Sequence, residues 1–166
     1  MPTEIENAVI NLLSATDFAP GTDPGKIIET WGNEGVTTAC EIASGAFPGL
    51  QKKIRTNAVD ALETMVHPQA RETVQLLVKD ADPDVSIRAL RSAAGQRNHD
   101  AVAAIAKLLQ SQGLSALVAA EAVEALSIID TPEARAALQQ YETADPTTYP
   151  HRGDNLVNEF LNRRPR

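Results

Sequence analysis

The sequence predicts an all-α fold, an αα-superhelix of about four helix pairs with a capping helix at each end. Two observations predict it. Alanine supplies 26 of the 166 residues, whereas Phe, Trp and Tyr together make up only 4%; this balance favours closely packed helices over aromatic-rich sheets. Apolar positions also recur along the chain under a nearly constant register, as expected for a stack of similar units.

The register is clearest over residues 50–142. Ala58 falls on Ala89 after a displacement of 31 residues, and on Ala122 after a further 33. Within each unit the apolar positions follow the i, i+3, i+4, i+7 spacing of one buried helical face. Because about 30 residues suit two helices joined by a turn, we expect helical repeats over residues 24–142. The first unit is short and is interrupted by Gly32 and Gly35.

Capping residues mark the ends of the predicted helices. Thr3 and Glu6 form a capping box at the start of an N-terminal cap helix over residues 2–14. Loops are expected over residues 14–22 and 143–153, and a C-terminal cap helix over residues 154–162. We expect residues 1–166 to form a single domain. Three internal helix starts carry a capping residue before proline: Asp23-Pro24, Asp82-Pro83 and Thr131-Pro132. Glycines mark three expected helix ends: Gly45, Gly95 and Gly113.

A motif in the segment from Asp80 to Gly95 resembles the HEAT-repeat family, particularly its short bacterial, phycobilisome-lyase-like form. An acidic turn is followed by Val85, Arg88 and Ala89. The unit before it has Ile54, Ala58 and Leu62 at similar positions, and the unit after it has Val118, Ala122 and Leu126 but no acidic turn. The resemblance covers about residues 24–142. It implies an armadillo-like helical stack whose second helices line a concave surface that holds partners, as in scaffolds and assembly factors.

The charge distribution bears on the class of partner. The formal net charge is −7, and residues 1–50 hold seven acidic side chains but only Lys26 as a base. A nucleic-acid-binding protein usually presents a basic face to phosphate, so the balance argues against that class and predicts contact with a basic partner surface. No apolar run approaches the ~20 residues of a membrane span, and we expect a cytoplasmic protein without a membrane partner.

Side chains able to carry chemistry do not converge in the sequence. Cys40 is the only cysteine, and its acidic neighbourhood favours a structural thiol over a nucleophile. His67 and His99 lie near predicted turns, where capping is the simpler role, and the three histidines lack metal-ligand spacing. Trp31 and Tyr141 fall in core columns of the repeat, the latter with a hydroxyl that could reach the surface. We therefore predict no catalytic site, no cofactor and no metal site.

The solvent-facing side of the second helices remains as the candidate site. We predict that a polar-basic stripe binds a protein or peptide partner around an apolar centre at Val102 and Ala106; the alternative is an ordinary solvated face. The stripe comprises Arg71, Gln75, Lys79, Lys107, Arg135 and Gln139. The resulting hypothesis is a non-catalytic adaptor, assembly or regulatory factor. The alternatives are a subunit or accessory factor of a lyase or another cofactor-attachment enzyme, a nucleic-acid-binding protein, and self-association through the ends of the stack.

Overall fold

The computed structural model describes residues 2–15, 18–145 and 147–163. Within these ranges the regular structure consists of α-helices and one 3-10 turn, His99–Ala101, with no strand. The predicted loops over residues 14–22 and 143–153 include Thr16, Asp17 and Pro146, which lie outside the described residues. The helices are α1 (Glu4–Ser14), α2 (Pro24–Glu29), α3 (Gly32–Ser44), α4 (Lys52–Leu62), α5 (Pro68–Leu77), α6 (Pro83–Gly95), α7 (Val102–Leu108), α8 (Ala116–Ile129), α9 (Pro132–Thr143) and α10 (Asn155–Asn162).

The helices α2 to α9 form four consecutive pairs, and the pairs stack. The first helices α4, α6 and α8 contact one another in that order. On the other side of the stack, α3 contacts α5 and α7 contacts α9. Helix α10 packs on α8, where the first helix of a further pair would lie, while α1 packs against α3 and α4. The predicted all-α solenoid with a helix at each end is confirmed.

The predicted caps are present and explain where the helices begin. Thr3 and Glu6 form a reciprocal capping box at the start of α1. The side chains of Asp23, Asp82 and Thr131 each accept a hydrogen bond from a backbone N–H of the first turn, and proline follows each of them. These contacts satisfy N–H groups that have no partner inside the helix.

Two of the three predicted glycine ends are correct. Gly45 follows α3 in the left-handed region with φ of 81°, and Gly95 is the last residue of α6. Gly113 does not end a helix, because α7 already stops at Leu108 and Gly113 lies in the following loop. The second helix of this unit is short because residues 99–101 adopt the 3-10 turn instead of an α-helical first turn.

Small side chains let the pairs pack closely. The predicted column Ala39, Ala70, Ala101 and Ala134 is fully buried. The first helices carry a similar buried column at Ala58, Ala89 and Ala122. Alanine has no side-chain entropy to lose and strongly favours the helix, so the same residue serves both local structure and close helix packing.

The aromatic predictions need correction. Trp31 is only half-buried and precedes the first residue of α3, because the short α2 ends at Glu29 and cannot carry the tryptophan into the core column. Tyr141 is in the core at 1% exposure, but its hydroxyl is buried and has no hydrogen-bond partner among the described residues. The expectation that the hydroxyl reaches the surface is therefore wrong. The Tyr141 ring packs edge-on against Tyr149, with 4.9 Å between centroids.

The first unit depends on a close approach between α2 and α4. A Cβ on Gly25 would collide with the backbone oxygen of Ala61 and the hydroxyl of Thr64. Thr64 also donates a 2.6 Å hydrogen bond to the Asp23 carboxylate that caps α2. Glycine is therefore required for the short helix to lie on its neighbour. Across the described ranges, the structure contains no helix with the length and apolarity needed to cross a membrane.

Candidate interaction surface

The second helices α3, α5, α7 and α9 present the surface predicted to bind a partner. Exposed positions here are Glu72 and Leu76 of α5 and Lys79 just after its end, which follow the i, i+4, i+7 spacing of one helical face. The side chain of Leu76 is 65% exposed. The corresponding exposed positions in α7, just after α7 and in α9 are Ala103, Lys107, Gln110, Ala136, Gln140 and Thr143. The resulting surface is polar, carries both signs of charge, and is hydrophobic at Leu76.

Arg71 lies at the flank of this surface and binds within the fold. Its Nη1 atom donates to the backbone oxygen of Gln96 at 3.1 Å, and its Nη2 atom donates to that of Arg97 at 3.5 Å. These carbonyls follow the last residue of α6, where a cation is favourable for the helix dipole. In return, Asn98 Nδ2 donates to the Arg71 backbone oxygen at 3.0 Å. Arg71 therefore connects two units of the stack.

Arg135 is also engaged. Its guanidinium group binds the Asp130 carboxylate through Nε at 2.7 Å and through Nη2 at 3.1 Å. Asp130 ends α8 in the left-handed region with φ of 52°, so this ion pair spans the turn between α8 and α9. The two arginines of the predicted stripe thus have partners inside the protein.

The other four residues of the predicted stripe are more accessible. Lys79, Lys107 and Gln139 are exposed and Gln75 is half-buried. In the described ranges, the side chain of none of the four makes a hydrogen bond or an ion pair. The predicted apolar centre is not formed, since Val102 is only 5% exposed and Ala106 is half-buried. The 3-10 turn before α7 places Val102 against the core, and the exposed apolar residue of this surface is Leu76.

The first helices carry a different surface, on which charges are paired between neighbouring units. Lys52 Nζ lies 3.0 Å from Asp82 and 2.6 Å from Asp84, and Arg55 lies 2.6 Å from Asp80. Further along the same helices, Arg88 binds Asp60 and Arg91 binds Glu121 through both carboxylate oxygens. The separations in sequence are 25 to 32 residues, close to the repeat length. These pairs were not predicted, although their spacing is visible in the sequence.

The acidic side chains of the first third are largely used inside the fold. Glu6 belongs to the capping box of α1, and Asp23 caps α2. The Glu29 carboxylate accepts from the backbone N–H groups of Val66 and His67, at 2.6 and 3.2 Å. Glu34 accepts from the Thr3 hydroxyl at 3.0 Å. Four of the seven acidic side chains of this segment therefore support helix ends and contacts between helices, and contact with a basic partner surface stays a prediction.

Cys40, His67 and His99 were the remaining residues considered for chemistry, and the structure does not bring them together into one site. Cys40 is 3% exposed, and burial raises the pKa of its thiol, against a weaker opposing effect of its contact with Thr73. A buried, protonated thiol is a poor nucleophile. His67 caps α5 by accepting from the Gln69 N–H through Nδ1, as predicted, while His99 is exposed in the 3-10 turn. The part of the chain that the structure describes contains no group of three metal-ligating side chains.

Comparison with known families agrees with this architecture. Residues 70–149 match the model of HEAT repeats. This part of the chain therefore consists of HEAT repeats. The matched range covers α5 to α9, including the motif at Asp82 and Arg88 from which the resemblance was drawn, so the predicted family is confirmed. The comparison with curated proteins found no match. HEAT repeats generally mediate protein–protein interaction.

Proposed function

We propose that this protein is a non-catalytic interaction module, an adaptor, assembly or regulatory factor, that binds a protein partner on its second helices. The observation that carries the proposal is the exposed surface of α5 and α7. There Lys79 and Lys107 are solvent-exposed and make no internal ion pair in the described ranges, and Leu76 exposes 65% of its surface.

A polar rim around an apolar side chain is the usual composition of a protein-binding patch. Each of the two lysines can form an ion pair with a carboxylate of a partner without first breaking a contact inside the protein. Leu76 supplies apolar area that is removed from water on binding. The proposed partner surface therefore combines an apolar side chain with acidic or hydrogen-bonding groups. A cytoplasmic setting suits the proposal, because the free Cys40 is buried and does not form a disulfide.

The non-catalytic part of the proposal is supported by the positions of the groups that would perform chemistry. Cys40 lies in the core with a raised thiol pKa. His67 is used as a helix cap, and His151 binds the backbone oxygen of Leu114. Each of these potential nucleophiles or bases is held by the fold and separated from the others.

The test is affinity capture of the tagged protein from its native cells, followed by mass spectrometry of the bound proteins. We expect the variant L76S/K79E/K107E to lose the specific partner, because it removes the apolar residue and reverses both free charges. The matched control K53E reverses an exposed lysine of α4 that makes no ion pair in the described ranges, and it should retain the partner. Arg71 and Arg135 are unsuitable for this purpose, since their substitution breaks contacts inside the fold. Equal retention of one specific partner by both variants would assign binding to another surface.

A further inference from the structure

A groove of about 450 Å³ runs between α6, α8 and α10, toward the C-terminal ends of the first helices. Its floor is apolar and consists of Leu90, Ala94 and Ala125, which are buried. Ile128 and Phe160 line it as well. Ile128 exposes 43% of its surface, and Phe160 is half-buried. The groove thus offers apolar area to a partner on a surface different from that of the second helices.

The charge at the rim of the groove is negative. Arg91 and Glu121 form a pair whose charges cancel, and Glu121 retains only 5% exposure in this pair. Glu63 and Glu124 also line the groove, and neither forms an ion pair with a described residue. Two carboxylates without an ion pair of their own therefore remain beside the apolar floor. Two cations lie nearby, since Arg91 also attracts Glu124 and the Arg163 guanidinium lies 5.0 Å from the centroid of the Phe160 ring.

Glu63 occupies an unfavourable position for an acidic side chain. It follows the last residue of α4, and its carboxylate lies so close to Gly95, the last residue of α6, that a Cβ there would collide with it. The C-terminal end of a helix carries a partial negative charge, which disfavours a carboxylate. Burial, together with the negative charges of Asp60 and Asp23, raises the pKa of Glu63. A cation placed beside Glu63 would relieve this unfavourable arrangement.

We propose that the groove binds a basic segment of a partner protein. An apolar side chain of that segment occupies the space between Ile128 and Phe160, and its lysine or arginine side chains bind Glu63 and Glu124. The apolar centre supplies contact area, and the two carboxylates determine the charge of the partner. This site is independent of the surface formed by the second helices, and each can fail without the other.

The test uses fluorescence anisotropy with a labelled synthetic peptide in which leucines are flanked by lysines and arginines. We expect saturable binding at low salt that weakens as salt screens the charges. The variant E63Q/E124Q removes the two ion pairs that Glu63 and Glu124 would form with the peptide. Because such partly exposed pairs are weak, we expect about a tenfold loss of affinity. The variant I128S should also weaken binding. The matched controls E41Q/E72Q and L76S alter exposed residues of the second helices and should leave the affinity unchanged.

A stability measurement guards against a trivial explanation. Since Glu63 is in an unfavourable position, E63Q/E124Q should unfold at no lower urea concentration than the unmodified protein, so that a loss of affinity reports on the groove. No binding of the peptide at low salt, or equal affinities for E63Q/E124Q and E41Q/E72Q, would overturn the proposal. Self-association seen by sedimentation and abolished by E63Q/E124Q would overturn it too, because the occupant would then be a second copy of the chain.

Discussion

Replacement of Arg71 by alanine is expected to destabilise the protein, although its side chain lies at the edge of the surface predicted to bind a partner. The guanidinium group donates two hydrogen bonds to the successive backbone oxygens of Gln96 and Arg97. A hydrogen bond that involves a charged group contributes about 1.5–3 kcal/mol. The site is partly exposed and the second bond is long at 3.5 Å, so we expect the lower end of this range, about 1.5 kcal/mol, for the pair.

Urea unfolding followed by circular dichroism measures this change. The matched control is Lys79→Ala in the same segment, which removes an exposed cation without an internal partner and should cost less than about 0.5 kcal/mol. Arg71→Lys keeps the charge but lacks the planar fork that reaches two carbonyls at once, so it should lose most of the same free energy of unfolding. If Arg71→Ala and Lys79→Ala were equally stable, Arg71 would not connect α5 to the end of α6.

Three further predictions concern single positions. Gly25→Ala should lower the free energy of unfolding by about 1–3 kcal/mol through overpacking, because the new Cβ meets the backbone of Ala61. The control Gly113→Ala, which has open space around it, should be nearly neutral when both variants are unfolded in urea. Glu63→Gln should stabilise the protein by about 0.5 kcal/mol at neutral pH. The raised pKa of Glu63 means that its ionised form disfavours folding, so the gain should disappear as the pH falls through that pKa; a gain that grows toward acid pH would contradict this sign. Tyr141→Phe should be neutral or stabilising by up to about 1 kcal/mol, since it removes a buried hydroxyl without a described partner, whereas a clear loss on urea unfolding would show that the hydroxyl is hydrogen-bonded.

The sequence predicts the helix pairs because their determinants are local. Thr3, Asp82 and Thr131 cap helices through contacts within three residues of themselves, and the 3.6-residue periodicity is a property of each segment alone. The alanine columns become visible because neighbouring units repeat the same packing. Caps and core positions of this kind therefore follow from sequence with little dependence on the rest of the fold.

The orientation of the candidate site residues is less predictable. Arg71 and Glu72 are adjacent, and a rotation of one residue decides which of them faces solvent. The 3-10 turn at residues 99–101 replaces the first turn of α7, and Val102 beside it is buried, which no column of the repeat indicates. The pairing of Arg91 with Glu121 depends on how two units stack. Such contacts are set by tertiary packing and not by local sequence.

The central claim is that a protein partner occupies the second helices, and site-specific photo-cross-linking in native cells tests it most directly. A photoreactive residue is placed at position 76 or 107 on the proposed surface, and at position 66 as a control, where Val66 is 83% exposed and therefore more accessible than Leu76 at 65%. The account predicts that one protein is cross-linked at both 76 and 107 and is absent at 66. Cross-linking of that protein at 66 but at neither 76 nor 107 would contradict it.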